Sequence, residues 1–410
     1  MSNNHVKTIV PIEAWLYHSP KLKLNNINYD MGLVCEALVY YDKIFISIDN
    51  RDHFNAVILW FKKQNAFSKL LELMNEEIIN FVFHSFMTYP IYDPKNDAYS
   101  IWNLNDNESK NENVFNKRIL YNSDLNNITK TRERTKLFRA IENNVVELKA
   151  DEFGSAIDNA RSDASNPEKS NILIQSFIDD LYRQFNLDKP IKVRSVIMRS
   201  SDKSTISWNV NFDDLNKKTN NKLGIHKGIP LAGIAQSNKL IKTSSILKAD
   251  LYLGSVMNSL VNNKLAEINS TNTKINSVVK ELNVKVAFPK ISDLVNNNIL
   301  KFEDIMYIRK NAKKFRGWLQ QEGDHDRDAI IAYHNEVAEK TKLTKFGFGL
   351  LSITGSIIGG AIGSVVVGPI GGALGGATGY MADKFILSFN EEWKPMVFGN
   401  WVTKYIEDIN

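Results

Sequence analysis

Glu147-Leu148-Lys149, with Asp124 upstream, has the outline of half of a metal-dependent nuclease site. That chemistry uses two carboxylates to hold Mg²⁺ and a lysine beside the attacking water. The surroundings of the motif read as helix rather than strand, so a solvated helix face is preferred and the nuclease stands as an alternative function. A second set, Asp324, His325, Asp326 and Asp328 with His334, offers donors for Mg²⁺, Mn²⁺ or Ca²⁺. It ends one helical stretch and opens another, where capping explains its carboxylates more cheaply. The Gly224 to Gly233 stretch lacks the Gly-Lys-Ser/Thr ending of a phosphate-cradling loop, and the chain has no Gly-x-Ser-x-Gly and no His-Glu-x-x-His. No catalytic residue, metal or cofactor is therefore assigned, and a non-enzymatic role is favoured.

Two other patterns point to surfaces. From Phe302 to Gln321 apolar residues recur at helical spacing, and the opposite face carries Arg309, Lys310, Lys313, Lys314 and Arg316. Such a face suits anionic headgroups or a partner; pairing with the acidic stretch that follows is the plainer alternative. Then, from Phe346 to Ala382, no residue is charged and about a third are glycine. Gly355, Gly359 and Gly363 lie four apart, as do Gly368, Gly372 and Gly376, and Gly371, Gly375 and Gly379. Residues four apart share a helix face. A row of glycines removes the side chains that hold helices apart, so that backbones touch. Each glycine costs a solvated helix about 1 kcal/mol relative to alanine, whereas lipid enforces the helix because it offers the backbone no alternative partner.

Gly368-Pro369 divides the run into two arms, Phe346 to Val367 and Ile370 to about Phe389. At 1.5 Å per residue the first arm is about 33 Å long, enough to cross a hydrocarbon core. Asp383 and Lys384 interrupt the second, and Lys342 and Lys345 flank the first as interfacial anchors would. This pattern resembles the glycine-zipper segments of pore-forming and membrane-associated bacterial proteins; the likeness covers about a tenth of the chain. It implies lipid as a partner and self-association, because a zipper face is self-complementary. The expected function is a membrane-acting effector, of the kind a bacterial toxin or anti-phage defence would use. A soluble interaction or scaffold protein, with the hairpin as buried core, is the other alternative.

The rest of the chain must position these parts. A length of 410 residues suits two or three domains, and 43% apolar and 24% charged residues are ordinary for a globular chain. A net charge of +5 is too small for a dedicated nucleic-acid binder, so that partner is not expected. Cys35 is the single cysteine, which excludes an internal disulfide; it lies in an apolar helical stretch and reads as a core thiol. The start has no basic segment followed by an apolar one, so a cytoplasmic protein with conditional association to the inner membrane is expected.

The fold class expected is α+β. A small α/β unit comes first, then middle helices with a β-hairpin, then an all-helical region ending in the glycine-rich hairpin, with boundaries at 1–128, 129–288 and 289–410. Strands are expected at Val6 to Val10, Lys43 to Ile48, Ile78 to Phe86 and Arg118 to Tyr121, and a hairpin over 191–212. Helices are expected at Met31 to Tyr41 behind Asp30, Phe54 to Phe67, Ser68 to Glu77, Thr131 to Leu148, Ser170 to Phe185, Leu240 to Leu282, Ile291 to Val295 and Asp328 to Lys342. Ser162 to Pro167 reads as a turn and Gly224 to Gly233 as a loop.

Overall fold

The runs Lys7–Pro11, Lys43–Ile48 and Ile79–His84 are buried along nearly their whole length, and a strand apolar on both faces belongs in a parallel sheet covered by helices on each side. A computed structural model bears this out. It describes residues 6–12, 23–24, 27–95, 97–105, 115–121, 123–184, 187–199, 204–218, 228–267, 290–313, 316–317 and 394–409. The chain is mixed helix and sheet, and its described C-terminal part is helical.

In chain order the strands are β1 (Lys7–Pro11), β2 (Lys23–Leu24), β3 (Ile27–Asn28), β4 (Lys43–Ile48), β5 (Ile79–His84), β6 (Phe86–Asp93), β7 (Ala98–Asn105), β8 (Val145–Leu148), β9 (Ser195–Arg199), β10 (Ser204–Trp208) and β11 (Asp250–Leu251). The helices are α1 (Met31–Tyr40), α2 (Arg51–Lys63), α3 (Phe67–Asn75), α4 (Leu125–Ile128), α5 (Thr131–Asn144), α6 (Ala150–Ser165), α7 (Pro167–Gln184), α8 (Phe212–Lys218), α9 (Gly228–Leu247), α10 (Ser255–Glu267), α11 (Ile291–Asn296), α12 (Phe302–Asn311) and α13 (Lys394–Ile409), with a π-helical turn at Asn116–Leu120.

Five strands pair in the order β11-β1-β4-β5-β8, every pair parallel. The chain steps three times to the next strand in one direction and then returns to the far side of β1. With right-handed crossovers this puts the helices of the early steps on one face and those of the return on the other. The packing agrees. Ile9, Phe45, Val82 and Leu148 share a core with residues of α6, α7, α9 and α10. Facing the other way, Phe81 meets the Phe54 ring of α2 at 5.7 Å and Phe83 meets Phe115 at 5.3 Å. A second sheet, β6-β7-β10-β9, is antiparallel and contributes Phe86, Ile101, Ile206 and Trp208 to the first of these cores. Its outer strand β9 is met by α7, where Asn171 accepts the Ser195 amide at 2.6 Å, a side-chain cover over an edge that would otherwise pair with another chain.

Several expectations need correction. Val145–Leu148, read as the end of a helix, is the strand β8. Arg118 to Tyr121, read as a strand, lies in and after the π-helical turn. The hairpin β6–β7 has no counterpart in the sequence reading. Ser162 to Ser165 continue α6, and only Asn166 separates it from α7. Gly228 to Gly233 open α9 rather than a loop, and the helical stretch expected from Leu240 is broken by β11. The hairpin expected over 191–212 is present as β9 and β10, with Ser204 opposite Arg199. Cys35 is fully buried. The helix expected at Asp328 to Lys342 and the glycine-rich hairpin fall outside the described residues.

The chain clusters into two compact units, Met1–Thr273 with Ser292–Ile305, and Lys274–Ile291 with Met306–Asn410. The sheet therefore crosses the boundary expected at 128, because β8 and β11 pair with strands from before it. Inside the first unit α1 and α11 meet at backbone distance. The Gly32 amide donates to Asn296 Oδ1 at 2.9 Å, and Asn296 Nδ2 donates to the capping carboxylate of Asp30 at 2.7 Å. A Cβ at Gly32 would lie 2.1 Å from the Ser292 carbonyl oxygen. Backbone cannot swing aside, so Gly32→Ala is expected to destabilise the chain by about 1–3 kcal/mol, read as a lower urea midpoint at unchanged slope.

Candidate functional site

In a parallel sheet, the carboxyl ends of the strands carry the loops that can build a site. Here β4 ends at Ile48 and is followed by Asp49 and Asn50, whose side chain caps α2 by accepting the His53 amide. β5 ends at His84. On the face where Phe45 and Val82 point, α9 passes over both ends. Asp49 takes an ion pair from Lys239 and a hydrogen bond from Gln236 Nε2 at 3.1 Å, both from α9. His84 Nδ1 lies 3.5 Å from the same carboxylate, and its Nε2 is 3.0 Å from the Thr243 hydroxyl. The Thr243 hydroxyl gives its one proton to the Lys239 carbonyl at 2.9 Å, so it accepts from His84 Nε2, which then carries the ring proton.

The electrostatics follow from this packing. Burial alone would raise the Asp49 carboxyl, but the Lys239 ammonium and then His84 outweigh it and hold it well below the usual carboxylate range. Burial, reinforced by Lys239 and opposed by Asp49, pushes His84 down to about 4, so its ring is neutral. His53 is lowered as well, by burial first and against the pull of Asp49. A carboxylate, an imidazole and a hydroxyl in line are the parts of a nucleophile relay. Thr243 is fully buried and His84 is 1% exposed, however, so nothing can reach the hydroxyl. The network is an anchor that ties α9 to the sheet.

Beside it opens a cleft lined by Asn50, Arg51, Asp52 and Arg118. Arg118 reaches from the π-helical turn to donate to the Ser85 carbonyl at 3.1 Å, and Arg51 pairs with Asp52 at 3.3 Å. Under the cleft Tyr29 meets His53 edge-on at 5.8 Å, and burial followed by the Asp52 charge pushes its hydroxyl up to about 12. Its lining residues carry charges of both signs and a carboxamide, so the cleft can engage a polar group by hydrogen bonds. The sequence signal for this region is faint: Asp49, Asn50 and Asp52 are residue types that commonly cap helices, and nothing in the sequence links them to Lys239.

The residues singled out from the sequence are dispersed. Glu147 is on a strand, and its carboxylate accepts the Phe115 amide at 3.2 Å. Lys149 precedes α6, and its amide is accepted by Glu152 at 2.8 Å. Asp124 stands before α4, where its amide donates to Asn55 Oδ1 at 3.3 Å. Among the described residues no group of three or more His, Cys, Asp or Glu is placed to hold a metal ion. Lys310 and Lys313 are exposed on and just after α12, whereas Arg309 is buried and its carbonyl accepts Arg316 Nη1 at 2.7 Å; the expectation of Arg309 on the open basic face is corrected. Lys314, Lys342, Lys345, Asp324 to Asp328, His334 and every glycine of the zipper fall outside the described residues. Among those described, no helix is long and apolar enough to cross a membrane. Comparison with family models, curated proteins and solved structures finds no match to this chain.

Proposed function

We propose that this protein is a non-enzymatic membrane-acting effector, with an α/β body and a glycine-zipper segment that engages lipid and self-associates. One observation carries the reading: Phe346 to Ala382 has no ionised side chain and aligns its glycines in three rows four residues apart. Such rows favour close backbone contact in a water-poor setting, whether in lipid or between copies of the chain. A toxin or anti-phage defence role suits a device of this kind, held in the cytoplasm until it meets the inner membrane.

The test is dye release from lipid vesicles by the full chain, alongside the Gly359→Leu and Gly372→Leu variants. A leucine on a zipper face holds backbones apart and removes an association worth about 1–2 kcal/mol, so release is expected to fall roughly tenfold. Unchanged release in both variants removes the zipper from the mechanism. A monodisperse chain that ignores vesicles altogether favours the soluble scaffold instead.

A further inference from the structure

The second compact unit carries a feature that neither the glycine rows nor the body explains. On α13, Phe398, Val402 and Ile406 are buried at successive helical turns. Trp401 and Tyr405 occupy the adjoining stripe and stack with ring centroids 5.7 Å apart and planes 12° apart. Tyr307 of α12 closes the group, 5.0 Å from Tyr405 and 5.6 Å from Trp401. These rings are not core: Tyr307 is 48% exposed, and Trp401 and Tyr405 are partly so. Lys310 lies three residues beyond Tyr307, and Lys404 three beyond Trp401, each on its ring's helix face; Lys313 continues the row, and all three are exposed. From Met306 to Gly317 the chain has no acidic residue at all.

One half-exposed and two partly buried rings beside three lysines form an amphipathic surface, basic along the 306–317 side and flanked by Glu303 one turn before Tyr307 and by Glu407 and Asp408 after Lys404. Tyrosine and tryptophan favour the boundary where one end of the ring is apolar and the other wet, and lysine complements anionic headgroups. A purely apolar protein partner would leave the lysines unmatched, and a purely electrostatic one would leave the rings in water. We propose that the Tyr307–Trp401–Tyr405 face, with Lys310, Lys313 and Lys404, docks on an anionic lipid surface. This rests on the membrane reading above and names the step before insertion: the face holds the chain at the bilayer while the glycine segment engages it.

The experiment is flotation of the full chain with vesicles of phosphatidylcholine alone and of phosphatidylcholine with 30 mol% phosphatidylglycerol (a composition of roughly ordinary anionic density) at low and high salt. Binding is expected only with the anionic vesicles, and to weaken as salt rises. Lys310→Gln/Lys313→Gln/Lys404→Gln should lower partitioning about 100-fold, since each lysine near such a surface contributes about a factor of five to ten. Tyr307→Ser, at a position 48% exposed, should lower it about fivefold. Dye release per vesicle-bound chain should be the same in the triple variant as in the parent, which separates docking from insertion. Flotation of the triple variant equal to the parent overturns the docking face, and so does an absence of anionic preference. Capture of a single-stranded oligonucleotide in place of vesicles overturns it too, since stacked rings and lysines are also what that ligand uses.

Discussion

Lys264→Met is expected to cost the chain about 3–5 kcal/mol of folding free energy, which for a protein of ordinary stability is a large part of the total. Lys264 on α10 places its ammonium 2.7 Å from both oxygens of Asp163 on α6. Asp163 is 1% exposed, and its remaining contacts are Asn238 of α9 at 3.0 Å and Lys169 of α7 at 3.6 Å. Four helices thus converge on one carboxylate. Removing the lysine leaves a buried charge with an amide and one distant, half-exposed ammonium, and that residual support sets the cost toward the lower end of the range. The double variant Asp163→Leu/Lys264→Met has no orphaned charge and should recover most of the loss. Urea unfolding of the parent, single and double variants checks this. A single variant within 1 kcal/mol of the parent would mean that Lys169 replaces Lys264 without strain.

The second large effect is acid destabilisation centred on His84. Its folded pKa is about 4 and its unfolded value about 6.5, so the folded state prefers the neutral ring. The unfolded chain binds a proton first as pH falls. The stability tied to His84 is therefore fully present above about pH 6.5, is lost between about 6.5 and 4, and changes no further below that. The loss is on the order of 3 kcal/mol. His53, also lowered, adds a loss of the same sign starting from the same unfolded value. Asp49 acts in a lower window: its carboxyl is held down, so its contribution stands above about pH 4 and disappears only as pH falls further, toward its folded value. Urea midpoints between pH 7 and 4 should fall steeply in the parent and much less in His84→Gln, which keeps a partner for Thr243 but does not titrate. Parallel pH profiles for the two would show that His84 is not the group responsible.

The strands of the parallel sheet were legible where the chain is apolar on both faces, as in Lys43–Ile48 and Ile79–His84. Val145–Leu148 was not, because four residues are too few to establish a period of two and they follow a helix without punctuation. The start of α9 was hidden by Gly228, Pro230 and Gly233, which read as loop residues, although a proline in a first helical turn loses no hydrogen bond. Helix ends were obscured for a related reason. Asn65, Glu77, Lys248 and Asn298 all adopt φ of 50–56°, and the residues after them close the helices with amides that reach back five residues, as Ile78 does to Leu73 at 2.9 Å. Glycine is the usual signal for that turn, and none of the four is glycine. The site was least legible of all. Asp49 and Lys239 are 190 positions apart, and no local pattern announces that an α9 side chain will close on a loop after β4.

The sheet's last strand has a consequence for how the chain is made. β11 is only two residues long, yet it covers β1, and the Thr8 hydroxyl donates to the Asp250 carbonyl at 3.1 Å to fasten it. A nascent chain exposes β1 to the ribosome's surroundings on the order of ten seconds or more before Leu251 emerges. During that time the outer backbone groups of Thr8 and Ile9 are available to any extended segment nearby, another nascent copy included. Slow or interrupted translation across the middle of the message should therefore favour aggregation of the product, and a fragment that stops short of Asp250 would carry that raw margin permanently.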